Sequence, residues 1–559
     1  MSRPLSRRDA LKQLGAAGAA LADAKAVICG RASEITIAGQ PVEIAVGSVS
    51  LNTVRITVSP LQGGHPLSLR RTEALARPDA GRHGTRGRQA AAFGHVRAGN
   101  LIVRYSEGPP TLYVDDANGT TVQRLTFDAV TTGMSFSMGA GPLLGLGEGG
   151  PQFDRRGSAD RMVSGQDGGR GYRLATHGTR APIQWLVGTG GWAMFIHQPY
   201  GAFDFTGAEG AFLPDAASPL PIDVFVVSSR DPAVIMREYA RITGYPEMPA
   251  LWTFGYQQSH RTLAGPDEIL GVARTFREKK LPCDALIYLG TEFAPSGWNT
   301  RNGEFTWHPT NFPKPREMLD TLHAEHFKVV LHVVVEGHQL TGTVHDPCTA
   351  PPLPSGRTPD GHWPPVRQVA CYWPFHKPLV DVGVDGWWPD QGDDFDARSE
   401  LNRHRMYWEG SQLYRPNERP YALHRNASAG AQRYGGFIWS GDISTRWETL
   451  KTHVSVAINT GLSGLPYWGT DIGGFSPTAE YTAELHVRWF QFGAFCPLFR
   501  AHGRNWHLRL PWGWDGGDGG PPESGRFRID PAELRNPAVE TICREYLELR
   551  YRLMPYLYT

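Results

Sequence analysis

Three aspartates in the second half of the sequence each follow a short apolar segment. They are Asp390, Asp442 and Asp471, and tryptophans lie in or beside all three segments. These tryptophans are Trp388, Trp439 and Trp468. Carboxyl groups that lie close together can divide the roles of nucleophile, acid and base between them. Such a set favours glycoside hydrolysis, in which one carboxylate attacks the anomeric carbon and one carboxylic acid protonates the leaving oxygen.

A single aspartate at a strand end has a simpler alternative role, which is to cap the helix that follows. Asp442 precedes a predicted helix start at 444–445 and would serve as such a cap. Asp393, three residues after Asp390, is a further acidic residue in the same stretch. Three aspartates at strand ends, each with a tryptophan nearby, favour a shared site over three separate caps.

The elements that must position these aspartates alternate between apolar strands and segments of helical periodicity. Strands are predicted at 251–256, 285–289, 327–335, 386–388, 420–424, 436–439, 464–468 and 494–499. Helices are predicted at 266–279, 315–326, 398–414, 445–459, 479–491 and 537–553. About eight β/α units predict an α/β fold, a (β/α)8 TIM barrel over residues 246–559. Active sites of such barrels lie at the carboxyl ends of the strands, where the three aspartates fall.

Two regions depart from this alternation. Residues 31–245 contain many short segments rich in β-branched residues and separated by Gly, Pro and Asn, which predict an N-terminal antiparallel β-sandwich. Residues 338–380 are Pro-rich and too long for an ordinary βα loop, so we expect an inserted functional loop.

The composition excludes several classes of partner. The 559 residues include 56 Lys+Arg and 55 Asp+Glu, and the formal net charge of +1 predicts no nucleic-acid surface. After the N-terminus, the sequence has no run of about 18 apolar residues, the length of a membrane span. We therefore expect no nucleic acid and no membrane span. The sequence does not indicate an oligomeric state.

The cysteines and glycines also predict neither a metal nor an organic cofactor. The six cysteines show no CxxC pattern. Cys348 and Cys371 flank a loop-rich stretch and are either a disulfide in an oxidising compartment or two free thiols. The glycines of 145–150 fit GxGxxG, but no βαβ unit surrounds them, so a dinucleotide site is rejected.

The first 30 residues have the pattern of a signal peptide of the twin-arginine type. Arg7 and Arg8 precede a small-residue apolar run at 14–22, and an A-x-A step follows at 22–24. This pattern predicts export to the periplasm or the medium. The alternative is a polar N-terminal helix with a chance arginine pair, in a cytoplasmic protein.

Several motifs, in one order along the chain, resemble those of glycoside hydrolase family 31. Residues 383–393, GVDGWWPDQGD, resemble the nucleophile segment, and residues 439–450, WSGDISTRWETL, resemble the acid/base segment. Residues 461–475 and 488–502 resemble the segments of the seventh and eighth strands. The resemblance implies a retaining enzyme acting on α-linked glycosides, mostly an α-glucosidase or α-xylosidase. It also implies a β-sandwich before the barrel.

The resemblance assigns roles residue by residue. It implies that Asp390 is the nucleophile and Asp442 the general acid/base. Arg425 occupies the position of an arginine beside the bound sugar, where it would keep nearby carboxylates ionised. Asp471 and His502 fall on positions that bind sugar hydroxyls, and their alternative roles are an ion pair and a packed histidine. Trp439 and Trp468 either shape the pocket or pack in the core.

One position departs from the family pattern. The second strand of the family ends in an aspartate that binds outer hydroxyls of the sugar, and Gly290 stands there in this chain. Glu292 or Trp298 would take over substrate binding at this position. Because buried groups left unpaired penalise the wrong sugar steeply, this departure leaves the identity of the sugar open.

The favoured function is therefore a retaining exo-acting α-glycosidase acting on the non-reducing ends of α-linked oligosaccharides or glycosides. The alternatives are an α-transglycosylase, an α-glycosidase for another sugar such as an α-galactoside, and a non-catalytic carbohydrate-binding protein. The sequence ends at Thr559 in a segment that resembles the last barrel helix. The C-terminal β domains usual in the family are therefore expected to be absent from this sequence.

Overall fold

The computed structural model describes fifteen stretches of the chain. These are residues 34–69, 73–128, 130–150, 152–164, 174–198, 200–215, 221–260, 265–294, 296–301, 303–334, 373–392, 395, 397–504, 509–516 and 534–559. Several predictions fall outside them: the signal segment 1–30, the pairing of Cys348 with Cys371, the position of Asp393, and residues 338–372 of the inserted loop.

The described part of the N-terminal region forms two antiparallel sheets. The strands are β1 (Thr36–Ile37), β2 (Gln40–Ser48), β3 (Thr53–Gln62), β4 (His65–Pro66), β5 (Thr85–Gly87), β6 (His95–Ala98), β7 (Leu101–Ser106), β8 (Thr111–Asp115), β9 (Thr121–Phe127), β10 (Met134–Phe136), β11 (Leu143–Glu148), β12 (Ala159–Arg161), β13 (Ala181–Gly188), β14 (Trp192–Ile196), β15 (Gly201–Asp204), β16 (Gly210–Pro214) and β17 (Ile222–Ser228). One sheet has the order β1-β2-β3-β17-β14-β13-β11, with β4 paired to β3 and β5 to β2. The other has the order β12-β15-β16-β10-β9-β8-β7-β6.

Alternating side chains of the two sheets meet in one apolar core. Val54, Ile56 and Val58 of β3 point to the same face, and each is at most 1% exposed. They belong to the same cluster as Val103 of β7 and Leu125 of β9 in the other sheet. The β-branched segments at 35–37, 42–46, 54–58, 101–105 and 221–227 form most of β1, β2, β3, β7 and β17.

The second half of the chain forms the barrel. Its strands are β18 (Tyr256–His260), β19 (Ala285–Tyr288), β20 (Lys328–Val334), β21 (Gly386–Asp390), β22 (Leu423–His424), β23 (Phe437–Trp439), β24 (Trp468–Gly469) and β25 (Phe499–Ala501). They pair in parallel in the orders β21-β20-β19-β18-β25 and β22-β23-β24. Parallel bridges from Trp387 to Ala422 and from Ile472 to Ala501 join the two sets. These eight described strands therefore close on themselves, and the predicted TIM barrel is confirmed.

The described helices fall into two groups, one in the N-terminal region and one around the outside of the barrel. Three helices belong to the N-terminal region: α1 (Ala90–Phe93), α2 (Leu174–His177) and α3 (Pro232–Thr243). The helices of the barrel region are α4 (Pro266–Glu278), α5 (Pro315–Ala324), α6 (Lys377–Val382), α7 (Ala397–Tyr414), α8 (Trp447–Leu462), α9 (Ala483–Gly493), α10 (Ala538–Arg552) and α11 (Met554–Tyr558). In α4 the buried side chains recur with helical spacing, at Ile269, Val272, Ala273 and Phe276. Among the described helices, none has the length and hydropathy needed to cross a membrane.

The interior of the barrel is filled by every second side chain of its strands. Ile287, Val330, Trp388, Phe437 and Leu498 form an inner cluster. The side chains between them point outward and pack against the helices in a separate cluster. This alternation of inward and outward side chains decides which residues at the end of each strand can point into the barrel mouth.

Several predicted elements differ in the structure, and the strands predicted at 464–468 and 494–499 share only one residue each with β24 and β25. Residues 251–256 were predicted as a strand, but Leu251–Phe254 form a 3-10 helix and β18 begins at Tyr256. The N–H groups of Thr253 and Gly255 donate to the carbonyls of Ala250 and Trp252, so this segment closes local turns instead of pairing in the sheet. The predicted loop 338–380 ends in a 3-10 helix at Trp373–Phe375 and in most of α6, so its described end is helical.

The first sheet packs directly on the barrel through β11 and α8. The backbone N–H of Gly145 donates to the side-chain oxygen of Asn459 at 2.7 Å, and the N–H of Gly147 donates to the hydroxyl of Ser463 at 2.7 Å. All four residues belong to polar contacts that are fully buried. The N-terminal region and the barrel therefore share a specific interface.

Candidate active site

Three strands bring the two main carboxylates and one arginine to the same end of the barrel. Asp390 is the last residue of β21, Arg425 follows β22, and Asp442 follows β23 by three residues. Asp390 has the same parity as Trp388, which lies in the inner cluster, so its side chain points to the barrel axis. Sequence and structure agree on the position of these three residues.

A single guanidinium nitrogen lies between the two carboxylates. Arg425 Nη2 is 2.6 Å from Asp390 Oδ1 and 3.3 Å from Asp442 Oδ1. The Asp390 side chain is 7% exposed, whereas that of Asp442 is 35% exposed. One carboxylate is therefore enclosed and the other is open to solvent at the mouth.

The environment of Asp390 holds it in the ionised form. Burial alone would raise its pKa, but the charge of Arg425 and the hydrogen bond with His332 outweigh burial and hold the pKa well below its ordinary value. The backbone N–H of Gln391 also donates to Asp390 Oδ1, at 2.8 Å. A carboxylate that stays charged in a buried position is suited to act as a nucleophile.

Asp471 lies deeper in the barrel and is paired with Arg500. It follows β24, is fully buried, and one of its oxygens accepts a hydrogen bond from Arg500 Nη2. Burial raises the pKa of Asp471 to about 7, although the charge of Arg500 opposes this. Its other oxygen has no hydrogen-bond partner among the described residues. That oxygen has free capacity to accept a hydrogen bond from a bound hydroxyl.

Trp439 and His502 line the same region. Trp439 ends β23 in the inner cluster, and the guanidinium of Arg425 lies 5.4 Å from its ring centroid. His502 follows β25 and is 2% exposed. Its ring stacks on Phe475 and meets the edge of Trp388, with centroids 5.6 Å and 4.9 Å away. The structure brings both residues to the end of the barrel that carries Asp390.

The prediction that Trp468 shapes the pocket is wrong. Trp468 pairs with Ile438 in the sheet, whereas the inward Trp439 pairs with Gly469. Strand alternation therefore turns Trp468 away from the axis and towards the N-terminal sheet. Its indole N–H donates to Glu148 Oε1 at 2.6 Å. The sequence alone could not reveal this, because a shift of one residue along the strand moves a side chain to the opposite face of the sheet.

The prediction that Trp298 contacts substrate is also wrong. Its side chain is 0% exposed and belongs to the cluster between the strands and the helices. The indole N–H donates to the carbonyl of His332 at 2.8 Å, and the ring meets Trp307 edge-on at 5.6 Å. The segment after β19 folds back over the outside of β20, which places Trp298 behind the barrel wall.

Glu292 lies at the barrel mouth after β19 but outside the carboxylate pair. Its side chain is exposed, and its backbone has a positive φ of 80°. No hydrogen bond or ion pair joins it to the other candidate residues in the described part of the chain. Its predicted role in substrate binding stays a prediction.

One residue of the site, His332, was not predicted. It lies in β20, and its Nε2 is 3.1 Å from Asp390 Oδ2. The signal in the sequence is a histidine inside the otherwise apolar run 329–335, at an inward position of the strand. Periodicity alone does not show which neighbouring strand such a side chain would meet.

The loop that carries Asp442 is held by a segment of the N-terminal region. The N–H of Thr179 donates to the carbonyl of Ser440 at 2.9 Å, and the N–H of Ser444 donates to the carbonyl of Ala175 at 2.7 Å. These two bonds lie on either side of Asp442. The position of the more exposed carboxylate therefore depends on residues outside the barrel.

Within the described residues, no group of three or more His, Cys, Asp or Glu side chains could hold a metal ion.

A (β/α)8 barrel with two carboxylates beside one arginine at the carboxyl ends of its strands has the design of a barrel glycoside hydrolase. The family model described as the glycosyl hydrolases family 31 TIM-barrel domain matches residues 246–559, more than half of the chain. The chain therefore belongs to glycoside hydrolase family 31, as the motifs predicted.

Similar proteins include an α-xylosidase from Saccharolobus solfataricus, 28% identical over 367 residues, which cover 60% of this chain and 46% of that protein. A neutral α-glucosidase AB from Sus scrofa is 29% identical over 395 residues, covering 60% of this chain and 37% of that protein. The chain thus spans less than half the length of these relatives. A solved GH31 dextranase from Flavobacterium johnsoniae, complexed with glucose, has a TM-score of 0.73 at 21% identity, covering 93% of this chain and 67% of that one. This structural likeness shows the fold.

Proposed function

We propose that this protein is a retaining, exo-acting α-glycosidase of the α-glucosidase or α-xylosidase type. Asp390 is the nucleophile and Asp442 the general acid/base. Membership of family 31 and the names of the relatives support this class of activity. The observation that carries the proposal is the arginine shared by the two carboxylates.

The shared arginine limits the distance between the carboxylates. Because Asp390 Oδ1 and Asp442 Oδ1 lie 2.6 and 3.3 Å from the same nitrogen, the two oxygens are at most about 6 Å apart. Carboxyl groups in retaining glycosidases lie about 5–5.5 Å apart, whereas inverting enzymes need about 6.5–9.5 Å to admit a water molecule. The geometry therefore supports direct attack by Asp390.

The reaction then has two steps. A carboxylate oxygen of Asp390 forms a bond with the anomeric carbon as the glycosidic C–O bond breaks, and Asp442 gives its proton to the leaving oxygen. A glycosyl ester of Asp390 results. In the second step, Asp442 takes a proton from water, the water oxygen attacks the anomeric carbon, and the ester bond breaks to restore Asp390. Two inversions at the same carbon retain its configuration.

The remaining residues bind the sugar. Arg425 keeps Asp390 ionised, and Asp471 and His502 hydrogen-bond hydroxyls of the sugar at the reacting subsite. Trp439 forms an apolar wall beside them. A neutral glucoside or xyloside fits this site, since the proposed hydroxyl-binding groups are buried and hydrogen-bonding rather than an open charged surface.

Nitrophenyl α-glycosides of glucose, xylose and galactose test the proposal. We expect the wild type to hydrolyse the gluco or xylo compound and Asp390→Ala to fall to background. Asp442→Ala should lose about 10²–10⁴-fold on substrates with poor leaving groups and much less on a dinitrophenyl glycoside, which needs no proton. Asp385→Asn, at the other end of β21, is the matched control and should stay active.

The stereochemistry gives an independent outcome. Proton NMR of the first sugar released should show the α-anomer before mutarotation. Release of the β-anomer first would contradict the two-step mechanism. Full activity of Asp390→Ala would contradict the assignment of Asp390 as the nucleophile. A larger share of transfer products than of free sugar would instead favour transglycosylation by the same residues.

We also propose the organisation predicted from the sequence: an exported protein with a signal segment at 1–30, a β-sandwich at 31–245 and a catalytic barrel at 246–559. The two antiparallel sheets with a common core support the sandwich. Fractionation of cells that express the full chain tests export. Replacing both Arg7 and Arg8 with Lys should keep the protein in the cytoplasm.

A further inference from the structure

His332 occupies a position that the reaction proposed above does not explain. It lies in β20 at an inward position and is 1% exposed. Its Nε2 is 3.1 Å from Asp390 Oδ2. The imidazole meets Phe293 and Trp388 edge-on, with centroids 4.9 Å and 4.6 Å away. These rings leave the imidazole little freedom to turn.

The hydrogen bonds of the ring define which nitrogen carries the proton. The backbone N–H of Gly290 donates to His332 Nδ1 at 3.4 Å. A nitrogen that accepts a hydrogen bond holds no proton, so Nδ1 is unprotonated and the neutral ring carries its proton on Nε2. The indole of Trp298 donates to the carbonyl of His332 at 2.8 Å, which fixes the backbone at the same residue. Both contacts aim the Nε2–H at Asp390.

We infer that His332 is a positioning residue for the nucleophile: its Nε2–H donates to Asp390 Oδ2 and fixes the plane of the carboxylate. This inference rests on the proposed role of Asp390. The other oxygen, Oδ1, is held by Arg425 Nη2 at 2.6 Å and by the N–H of Gln391 at 2.8 Å. Three donors on two oxygens leave the carboxylate one orientation.

Orientation matters because attack on the anomeric carbon requires an aligned lone pair. A neutral donor also suits the cycle of charge on Asp390. The carboxylate is charged before attack, neutral as the ester, and charged again after hydrolysis. His332 supports the charged states without adding a second full positive charge beside Arg425.

Two variants separate the donor from the packing. His332→Gln places an amide N–H near the position of Nε2, whereas His332→Leu fills similar space without a donor. We expect kcat on an aryl α-glycoside to fall about 10- to 100-fold in His332→Leu, with KM changed less than about threefold. His332→Gln should recover most of that loss.

The chain offers a matched control in a second histidine–aspartate pair, which joins α5 to the residue before β21. His323 Nε2 is 2.8 Å from Asp385 Oδ2, a histidine–aspartate pair of the same kind away from the barrel mouth. His323→Leu should leave kcat unchanged. Equal losses in His332→Gln and His332→Leu would overturn the inference, since packing and not the donor would then be at work.

A measurement without substrate separates this inference from the proposed function. In protein labelled with ¹⁵N-histidine, long-range ¹H–¹⁵N correlations should show His332 as the Nε2–H tautomer at neutral pH, assigned by its absence in His332→Gln. Its Nε2–H signal should move upfield in Asp390→Asn, where the acceptor is no longer charged. An Nδ1–H tautomer, which leaves Nε2 without a proton to donate, would overturn the inference even in an active enzyme.

The nucleophile itself is tested separately. Azide should restore activity to Asp390→Ala and give a product of inverted configuration, because the small anion enters the space left by the carboxylate. Failure of this rescue, with the expected tautomer still present, would sink the proposed function and leave the contact of His332 with Asp390 intact.

Discussion

At the scale of single residues, the charge of Arg425 is the first cause of the low pKa of Asp390. It contacts both Asp390 and Asp442 through one nitrogen, and its own side chain is 5% exposed. In such a buried position its charge is weakly screened, so it acts on the pKa of Asp390 more strongly than a surface arginine would. Losing it would remove the positive charge that the two carboxylates share.

We therefore predict the effect of removing Arg425. Arg425→Ala should lower kcat/KM about 10²–10³-fold, because a charge that orders the site is lost. The pKa of Asp390 should rise, so the loss should be greatest at acidic pH, where the nucleophile becomes protonated. Arg425→Lys should be intermediate, since an ammonium keeps the charge but has a different shape.

The check is a profile of kcat/KM against pH for the three proteins. Arg415→Ala is the matched control, because Arg415 lies 4.0 Å from Asp385 at the other end of β21. An acidic limb at the same pH in Arg425→Ala and the wild type would contradict the assigned role of Arg425.

At the scale of elements, the sequence predicted the number and order of the barrel strands, but neither all of their bounds nor the direction of individual side chains. The barrel strands and the three aspartates could be found because apolar runs and strand ends are local features. Trp468 and Trp298 were misplaced because their direction depends on strand register and on the path of a loop after β19. His332 was missed because its meaning depends on Asp390, which lies 58 residues away. Contacts between strands cannot be read from periodicity within one strand.

The loop that carries Asp442 gives a prediction at this scale. Gly441 has a φ of 69°, and a Cβ there would lie 2.0 Å from Thr179 Oγ1. Gly441→Ala should displace the loop from the N-terminal segment and lower kcat about 10- to 100-fold by moving the acid. A matched control is Gly461→Ala in α8, where a Cβ would meet nothing within 4 Å.

The readout is kcat on two substrates. An α-linked disaccharide, whose sugar leaving group is poor, should show the full loss in Gly441→Ala, and a dinitrophenyl glycoside should show little of it. Equal losses on both substrates would mean that the substitution damages more than the position of the acid.

At the scale of the whole molecule, the N-terminal sheets and the barrel are joined by buried polar contacts. One of these buried contacts joins Glu148 and Trp468. Burial raises the pKa of Glu148 well above its ordinary value, and the indole of Trp468 and the charge of Arg180 offset only part of that effect. This upward shift favours the neutral, protonated form of Glu148 in the interface. Its second oxygen has no hydrogen-bond partner within the described residues.

This neutral carboxyl group predicts a dependence of stability on pH. The unfolded chain releases the proton of Glu148 above about pH 4.3, whereas the raised pKa keeps this proton bound to a higher pH in the folded protein. The folded state then binds more protons, so this residue lowers the free energy of unfolding as the pH rises. Glu148→Gln does not titrate, and its stability relative to the wild type should increase between pH 5 and pH 8.

Denaturant unfolding at several pH values checks this. Trp468→Phe should destabilise the protein by about 1–3 kcal/mol or more at every pH, since it leaves the buried carboxyl group without its donor. A constant difference between Glu148→Gln and the wild type across the range would show that Glu148 is already ionised in the folded protein.

The distance along the chain between these partners also bears on the order of folding. Glu148 and Trp468 are 320 residues apart, and Gly145 and Asn459 are 314 apart. Synthesis from the N-terminus exposes the sheet surface around β11 long before α8 and β24 exist. Part of the surface of the nascent N-terminal region therefore stays exposed to solvent until α8 and β24 have been synthesised. The loop of Asp442, which rests on that same region, can reach its final place only after both halves have docked. Catalytic competence is thus expected to appear late, as one of the last events in the folding of the chain.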